Sequence, residues 1–199
     1  MPIEIRIGSL KYKLIEKAAA RWWGNSKKGV YAMGFKGGLS DPYKVARIGL
    51  LGEVAFGEVL GIDADLSYRR GGDKYDFMPI AGLDIDVKTA SSPDAKVFLT
   101  YHETFNTNPP HKKSNNYLHR LNSFYVGCKL MNDDQEHKNA IVMIFGYITA
   151  EKVKECALIK ENVRGTGTNY EIPFAKLNPI ESFVRDINEI LYDKEGMLP

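Results

Sequence analysis

Apolar and polar residues along this chain follow two different periods. In residues 9–23 and 41–60, apolar residues recur every three or four positions, and this period predicts amphipathic helices. The second helix has Ser40 or Asp41 as its N-terminal cap and stops before Gly61, because such residues cap and terminate helices. We therefore expect two long helices in the first third of the chain.

Shorter runs alternate with a period of two or are apolar throughout, which is typical of β-strands. The run "AIVMIFGYIT" has no polar face, so we expect it in the interior of a sheet. The other strand-like runs of this kind are "IEIRI", "KVFLTYHE" and "SFYVGCKL". Helical periodicity returns in "TAEKVKECAL" and in residues 179–193.

Two further strand-like runs meet over residues 79–82, where proline and glycine favour a hairpin turn. Asp76 lies at the start of the first run, and alternation sends Asp84, Asp86 and Lys88 to one face of the second. Mg²⁺ prefers carboxylate oxygens, and a neighbouring lysine can hold a water or offset charge on a phosphorane. The pattern predicts phosphodiester hydrolysis at a magnesium site. The alternative is a surface strand with a cross-strand ion pair.

A glutamate in the second helix is a candidate third carboxylate. Glu53 has Gly49 and Gly57 one turn away on either side. Each glycine costs roughly 1 kcal/mol of helix stability relative to alanine, so the close approach of another group is the expected compensation. Glu58 points elsewhere around the helix and is the weaker candidate. The alternative for Glu53 is an ion pair with Arg47 or another base at the helix surface.

The composition fits one soluble domain. The chain has 199 residues, 44% of them hydrophobic and 26% charged, and this length suffices for one sizeable core. The net charge of +2 does not by itself indicate a polyanion partner. Cys128 and Cys156 are not spaced as a zinc motif, so we expect buried free thiols. The sequence shows no signal peptide or membrane-spanning run, and we expect a cytoplasmic, intracellular protein without membrane contacts.

Basic and aromatic residues cluster in two segments that flank the candidate site, residues 68–74 and residues 104–120. Residues 104–120 contain no Asp or Glu and are broken by proline, which predicts a loop that binds phosphate groups. The alternative for residues 104–120 is a solvated or disordered insertion, and the alternative for Arg69 and Arg70 is a pair of surface charges that balance nearby acids. The candidate nucleic-acid contacts are Tyr68, Arg69, Arg70, Lys74, Lys112, Lys113 and Arg120.

The order of these features resembles the PD-(D/E)XK nuclease superfamily over residues 41–155. The resemblance rests on an acid in a "GLLGE" helix, Asp76 on a strand, Asp86-x-Lys88 on the next strand, and then "FYVGCKL" and "AIVMIFGYITAEKVKE". One departure is Tyr75, which stands where the family motif has proline. Another is that the following helix carries no clear second signature for a subfamily.

The resemblance implies an α/β fold with a restriction-endonuclease-like αβββαβ core, in which helices flank both faces of a mixed four- to five-stranded sheet. It also implies a single nuclease domain over residues 1–199 with its core at 41–155. The helices at 9–23 and 179–193 would pack on that core.

The resemblance further implies a Mg²⁺-dependent deoxyribonuclease, with Mn²⁺ able to substitute. Asp76, Asp86 and Glu53 would be the metal ligands, and Lys88 would orient the attacking water. DNA is the expected partner, and the chain could form a homodimer. The alternatives are a Holliday-junction resolvase-type endonuclease, a catalytically silent nuclease-fold protein that binds DNA, and an interaction protein with exposed acids.

Overall fold

The computed structural model describes residues 1–25, 41–67, 76–80, 83–101, 123–161, 168–183 and 185. The fold of these residues is mixed α/β, as the sequence predicts. Its helices are α1 (Ser9–Asn25), α2 (Pro42–Leu60) and α3 (Ala150–Cys156). Its strands are β1 (Ile3–Ile7), β2 (Phe77–Ile80), β3 (Leu83–Ala90), β4 (Val97–Tyr101), β5 (Phe124–Asp134), β6 (Asn139–Thr149), β7 (Leu158–Glu161) and β8 (Thr168–Pro173).

The main sheet is mixed and has five strands in the order β1-β6-β5-β3-β2. Strands β3 and β5 are parallel, and the other neighbouring pairs are antiparallel. Strand β6 lies between β1 and β5, which confirms the interior position predicted for the apolar run. The predicted hairpin is also present, because Ile80 of β2 pairs with Leu83 of β3.

Helix α2 begins and ends where the sequence predicts. The Asp41 side chain caps its N-terminus by accepting a hydrogen bond from the Tyr43 backbone N–H at 3.0 Å. Gly61 ends the helix in the left-handed conformation, with φ of 68°. Helix α1 runs two residues further than predicted, to Asn25. Residues 180–183 are helical, and the predicted helix 179–193 otherwise lies outside the described residues apart from position 185.

Helices α1 and α2 cover one face of the main sheet, because their apolar stripes pack against the apolar residues of the strands. Ile15 of α1 and Leu51 of α2 are fully buried in one cluster with Ile85, Val126 and Ile144 of the sheet. The C-terminal helical turn adds Ile180 and Phe183 to this cluster. The N-terminal helix therefore packs on the core as expected.

The other face of the main sheet is covered differently from the expectation. A second, three-stranded sheet lies there, in the order β4-β8-β7, and it shares a hydrophobic cluster with Tyr125, Ile148 and α3. The prediction that helices flank both faces is thus wrong for most of this face. The strand predicted in "KVFLTYHE", β4, belongs to the second sheet, since β2 and β5 already occupy both sides of β3.

The two cysteines are unpaired, as predicted. Cys128 on β5 is fully buried, whereas Cys156 at the end of α3 is only partly buried. The expectation that both thiols are buried therefore holds only for Cys128. No helix among the described residues is long and apolar enough to cross a membrane.

Candidate active site

Asp76 is fixed against β3 by the backbone. Its own N–H donates to the carbonyl of Ile85 at 2.9 Å, and the Val87 N–H donates to Asp76 Oδ2 at 2.6 Å. Both bonds arise because the β2–β3 hairpin brings the start of the first strand beside the middle of the second. The Asp76 carboxylate is therefore held next to Asp86 on β3.

The alternation predicted for β3 is confirmed at its buried positions. Ile85 and Val87 lie in the core beneath the helices, so Asp86 and Lys88 leave the strand on the opposite side. Lys88 Nζ donates to Asp86 Oδ1 at 2.5 Å, and the two side chains are 30% and 11% exposed. A largely desolvated ion pair thus stands beside Asp76.

The three groups form one electrostatic unit. Burial first, and then the charge of Asp86, raises the pKa of Asp76 to about 8, against the opposing effects of Lys88 and the Val87 N–H. A hydrogen bond that the protonated Asp76 donates to the Asp86 carboxylate adds a smaller contribution in the same direction. Such a raised value is expected when two crowded carboxyls share one proton. Burial alone would lower the pKa of Lys88, but the charges of Asp86 and Asp76 outweigh it and raise that pKa. Lys88 is therefore a fixed positive charge in the metal-free protein.

A cavity of about 300 Å³ adjoins Asp76, and its lining includes Glu53 of α2 and residues 87–89 of β3. One wall is apolar and comes from the two helices, and the other comes from the hairpin. The lining residues are Trp22, Val45, Ala46, Gly49, Leu50, Glu53, Asp76, Val87, Lys88 and Thr89. Asp86 does not line the cavity, but it contacts two residues that do.

Glycines position Glu53 above the strand, although the decisive one is not among those the sequence analysis emphasised. A Cβ at Gly52 would overlap Thr89 Oγ1 and lie 3.1 Å from Thr89 Cβ, so only glycine lets α2 approach β3 this closely. Gly49 plays a different part, since a Cβ there would lie 3.9 Å from Glu53 Oε1. The close approach inferred for the glycines around Glu53 is confirmed at Gly57, where a Cβ would lie 2.6 Å from a backbone carbonyl oxygen, and a further close approach occurs at Gly52.

Arg47 is not the partner of Glu53 that the alternative interpretation required. Arg47 is 2% exposed, and its guanidinium donates to both carboxylate oxygens of Asp133, at 2.9 and 2.6 Å. Glu58 lies on the surface and pairs with Lys11, and it does not line the cavity. Of the two glutamates of α2, Glu53 lines the cavity and Glu58 does not.

Carboxylate oxygens are the ligands that a hard divalent cation prefers, but the three carboxylates are not all gathered at one point. Asp76 and Asp86 are in hydrogen-bond contact, and Glu53 lines the same cavity as Asp76 but not as Asp86. Among the described residues, no three His, Cys, Asp or Glu side chains are gathered at metal-ligand spacing. A cation would replace the proton shared by the two aspartates, because it offsets the same repulsion.

Of the remaining candidate residues, the structure describes only Asp84. Asp84 is half-buried, and its backbone N–H donates to Ser123 Oγ at 3.3 Å. All the predicted nucleic-acid contacts lie outside the described residues; these are Tyr68, Arg69, Arg70, Lys74, Lys112, Lys113 and Arg120. The rest of the loop at 104–120 and the Tyr75 that precedes Asp76 also lie outside them.

Trp22 is the site residue that the sequence analysis missed. It sits near the end of α1 and contributes to the apolar wall of the cavity. The sequence signal was the pair of tryptophans near the end of α1, since large aromatic side chains bury much surface against neighbouring elements. The contact itself depends on how α1 crosses α2.

Comparisons with protein-family models, with curated protein sequences and with solved structures gave no significant match for this chain.

Proposed function

We propose that this protein is a Mg²⁺-dependent deoxyribonuclease of the PD-(D/E)XK type with a restriction-endonuclease-like core. The observation that carries the proposal is the Asp76–Asp86 carboxyl pair with the Lys88 ammonium group 2.5 Å from Asp86 Oδ1. A desolvated acid pair costs folding stability, and perturbed groups of this kind cluster at functional sites. Their position on one hairpin beside an open cavity supports a catalytic use.

Asp76 and Asp86 would hold the Mg²⁺ ion, with Glu53 completing the site directly or through water. When bound, Mg²⁺ polarises the scissile phosphate and lowers the pKa of a coordinated water. Lys88 keeps a positive charge where the phosphorane develops its negative charge, and Asp86 fixes the position of that ammonium group. The charges of Asp86 and Asp76 raise the pKa of Lys88, which supports an electrostatic role for its ammonium group.

The backbone supports this preorganisation. The Val87 N–H holds one Asp76 oxygen, which leaves the other oxygen for Asp86 or a cation. The tight contact between Gly52 and Thr89 holds α2, and with it Glu53, at a fixed height above β3. Rigid support of this kind is what a site for phosphoryl transfer requires.

The test is cleavage of linear duplex, single-stranded, circular and four-way-junction DNA in Mg²⁺ or Mn²⁺. We expect cleavage that EDTA abolishes and that Asp76→Asn reduces by at least about 100-fold, the range seen when a key electrostatic group is removed. Asp94→Asn is the matched control, because Asp94 is an exposed aspartate in the turn after β3. It should cleave at the wild-type rate.

The outcomes separate the alternatives. Cleavage restricted to four-way junctions indicates a resolvase-type endonuclease. Metal-independent DNA binding without cleavage of any substrate indicates a silent nuclease fold. Cleavage that survives in Asp76→Asn contradicts the proposed site.

A further inference from the structure

The outer face of α1 carries an unbalanced positive charge. Lys13, Lys17 and Arg21 are all exposed, and they follow one another at intervals of four residues, so they share one side of the helix. By helical rise the three charges span about 12 Å. We call these three residues the basic face of α1.

The acids near α1 do not neutralise this face. Glu16 pairs with Lys138 at 2.9 Å, and Glu58 pairs with Lys11. None of the three residues of the basic face has an ion-pair partner within the part of the chain that the structure describes. The face therefore presents its full positive charge to solvent.

The basic face leads to the candidate active site. Tyr12, Ile15, Ala18 and Ala19 are buried against the core, which fixes the opposite side of α1 toward solvent. Trp22 follows Arg21 directly in the chain and lines the cavity that Glu53, Asp76 and Lys88 share. The row of charges thus ends one residue before the residue of α1 that lines the cavity.

We infer that the basic face of α1 is a DNA-backbone track that delivers the scissile strand to the cavity. The inference rests on the proposed nuclease function and adds to it the element that holds the substrate. A row of Lys and Arg along one helix is the electrostatic signature of phosphate binding. Over about 12 Å a duplex carries roughly seven phosphates, so three contacts at one side of it are sterically reasonable.

DNA is favoured over an anionic membrane surface. Leu10 and Leu14 are 75% and 48% exposed and extend this side of the helix toward its N-terminus, which would also suit a lipid surface. However, the cations continue beyond the leucines toward the end of α1 at which Trp22 lines the cavity, and the cavity lining includes the acids and the lysine that a phosphodiester reaction would use. Binding to a membrane surface would not account for cations that run toward a cavity lined by acids and a lysine.

The experiment compares two triple variants that each remove two lysines and one arginine. The test variant is Lys13→Ala, Lys17→Ala and Arg21→Ala. The control variant is Arg6→Ala, Lys96→Ala and Lys176→Ala, at exposed positions that do not line the cavity. Alanine is a strong helix former, so α1 should stay folded, and circular dichroism checks this. Both variants have the same net charge, so any difference reflects position.

Two measurements are made on each protein. The Kd for a fluorescent 30-base-pair duplex is measured in EDTA at several salt concentrations, and KM and kcat are measured in Mg²⁺. We expect the test variant to bind at least about tenfold more weakly, with a log–log salt slope smaller by up to about 2.7, since each lost phosphate contact removes roughly 0.9. The loss should appear in KM, with kcat changed less than about twofold.

The results distinguish the two proposals. If the wild type cleaves DNA and the test variant matches the control in Kd, KM and salt slope, the track is refuted while the nuclease proposal stands. If the wild type neither binds nor cleaves DNA, the nuclease proposal fails first. If the test variant loses binding to phosphatidylserine vesicles but keeps its DNA slope, the face binds membranes and the inference is wrong.

Discussion

At the scale of single residues, two carboxyl groups lie side by side, and this arrangement lowers the stability of the folded state. Asp76 and Asp86 are buried or half-buried beside one another, and the pKa of Asp76 is raised to about 8 by burial and by the charge of Asp86. Lys88 offsets part of this repulsion from 2.5 Å away. Groups that cost stability in this way are usually retained for function.

The first prediction concerns the pH dependence of stability in EDTA. Because the folded-state pKa of Asp76 is raised from 3.8 to about 8, the native state binds a proton that the unfolded state releases, and stability falls as pH rises through this window. Asp76→Asn keeps an oxygen for the Val87 N–H but cannot ionise. It should therefore match the wild type near pH 4 and be more stable at pH 8 and above. Denaturant unfolding at several pH values checks this, and parallel curves would contradict it.

The second prediction concerns Lys88. Lys88→Ala should lower the cleavage rate by about 10²–10³-fold, because the positive charge at the developing phosphorane is lost. Mg²⁺ should still bind, since its ligands remain. Single-turnover kinetics and metal titration by calorimetry measure the two effects separately. A collapse of metal affinity with a normal rate at saturating metal would assign Lys88 a structural role.

At the scale of elements, the contact between α2 and β3 decides where the helix carboxylate stands. Gly52 lets the helix backbone lie against Thr89 and Val87, and Glu53 follows in the next position. Helix α1 in turn lies beside α2 and supplies Trp22 to the same cavity. The site is therefore assembled from two helices and one hairpin.

The third prediction tests that contact. Gly52→Ala should destabilise the protein by about 1–3 kcal/mol, because the added methyl group overlaps the Thr89 side chain. Gly49→Ala is the matched control and should raise stability by roughly 0.5–1 kcal/mol, since its Cβ meets nothing closer than 3.9 Å and alanine favours the helix. Chemical denaturation gives both values. If the two substitutions have equal effects, the close packing of α2 on β3 is wrong.

At the scale of the whole molecule, a buried polar cluster joins the helices to the sheet. Arg47 of α2 forms a bidentate ion pair with Asp133 of β5, and the Tyr12 hydroxyl of α1 donates to Asp133 at 2.6 Å. The Arg47 side chain is 2% exposed and also lies over the rings of Tyr12 and Tyr43. This cluster fixes the relative positions of α1, α2 and the sheet, and so of the cavity between them.

The fourth prediction follows from that burial. Asp133→Ala should destabilise the protein by about 3–5 kcal/mol, because it leaves the Arg47 charge buried without its partner. The double variant Arg47→Met with Asp133→Leu should be much less destabilised, since no uncompensated charge remains. Thermal and denaturant unfolding of both variants provides the comparison. Equal losses in the two would mean that packing, and not the buried charge, is responsible.

Local chemistry in the sequence was enough to predict much of this protein. The bounds of α2 follow from Asp41 and Gly61, because helix caps are encoded by neighbouring residues. The proline and glycine within residues 79–82 predict the hairpin, although β2 continues through Pro79 to Ile80. The grouping of Asp86 with Lys88 follows from strand alternation. These features involve residues that are close in sequence, so no tertiary contact was needed to infer them.

Only the tertiary structure decided how distant elements meet. It placed β4 in a second sheet, because β5 pairs with β3 in its place. It pairs Arg47 with Asp133 and not with Glu53, and it places Trp22 in the lining of the cavity. Such contacts join residues far apart in the chain, and their choice depends on which packing buries the most apolar surface and leaves the fewest unpaired charges.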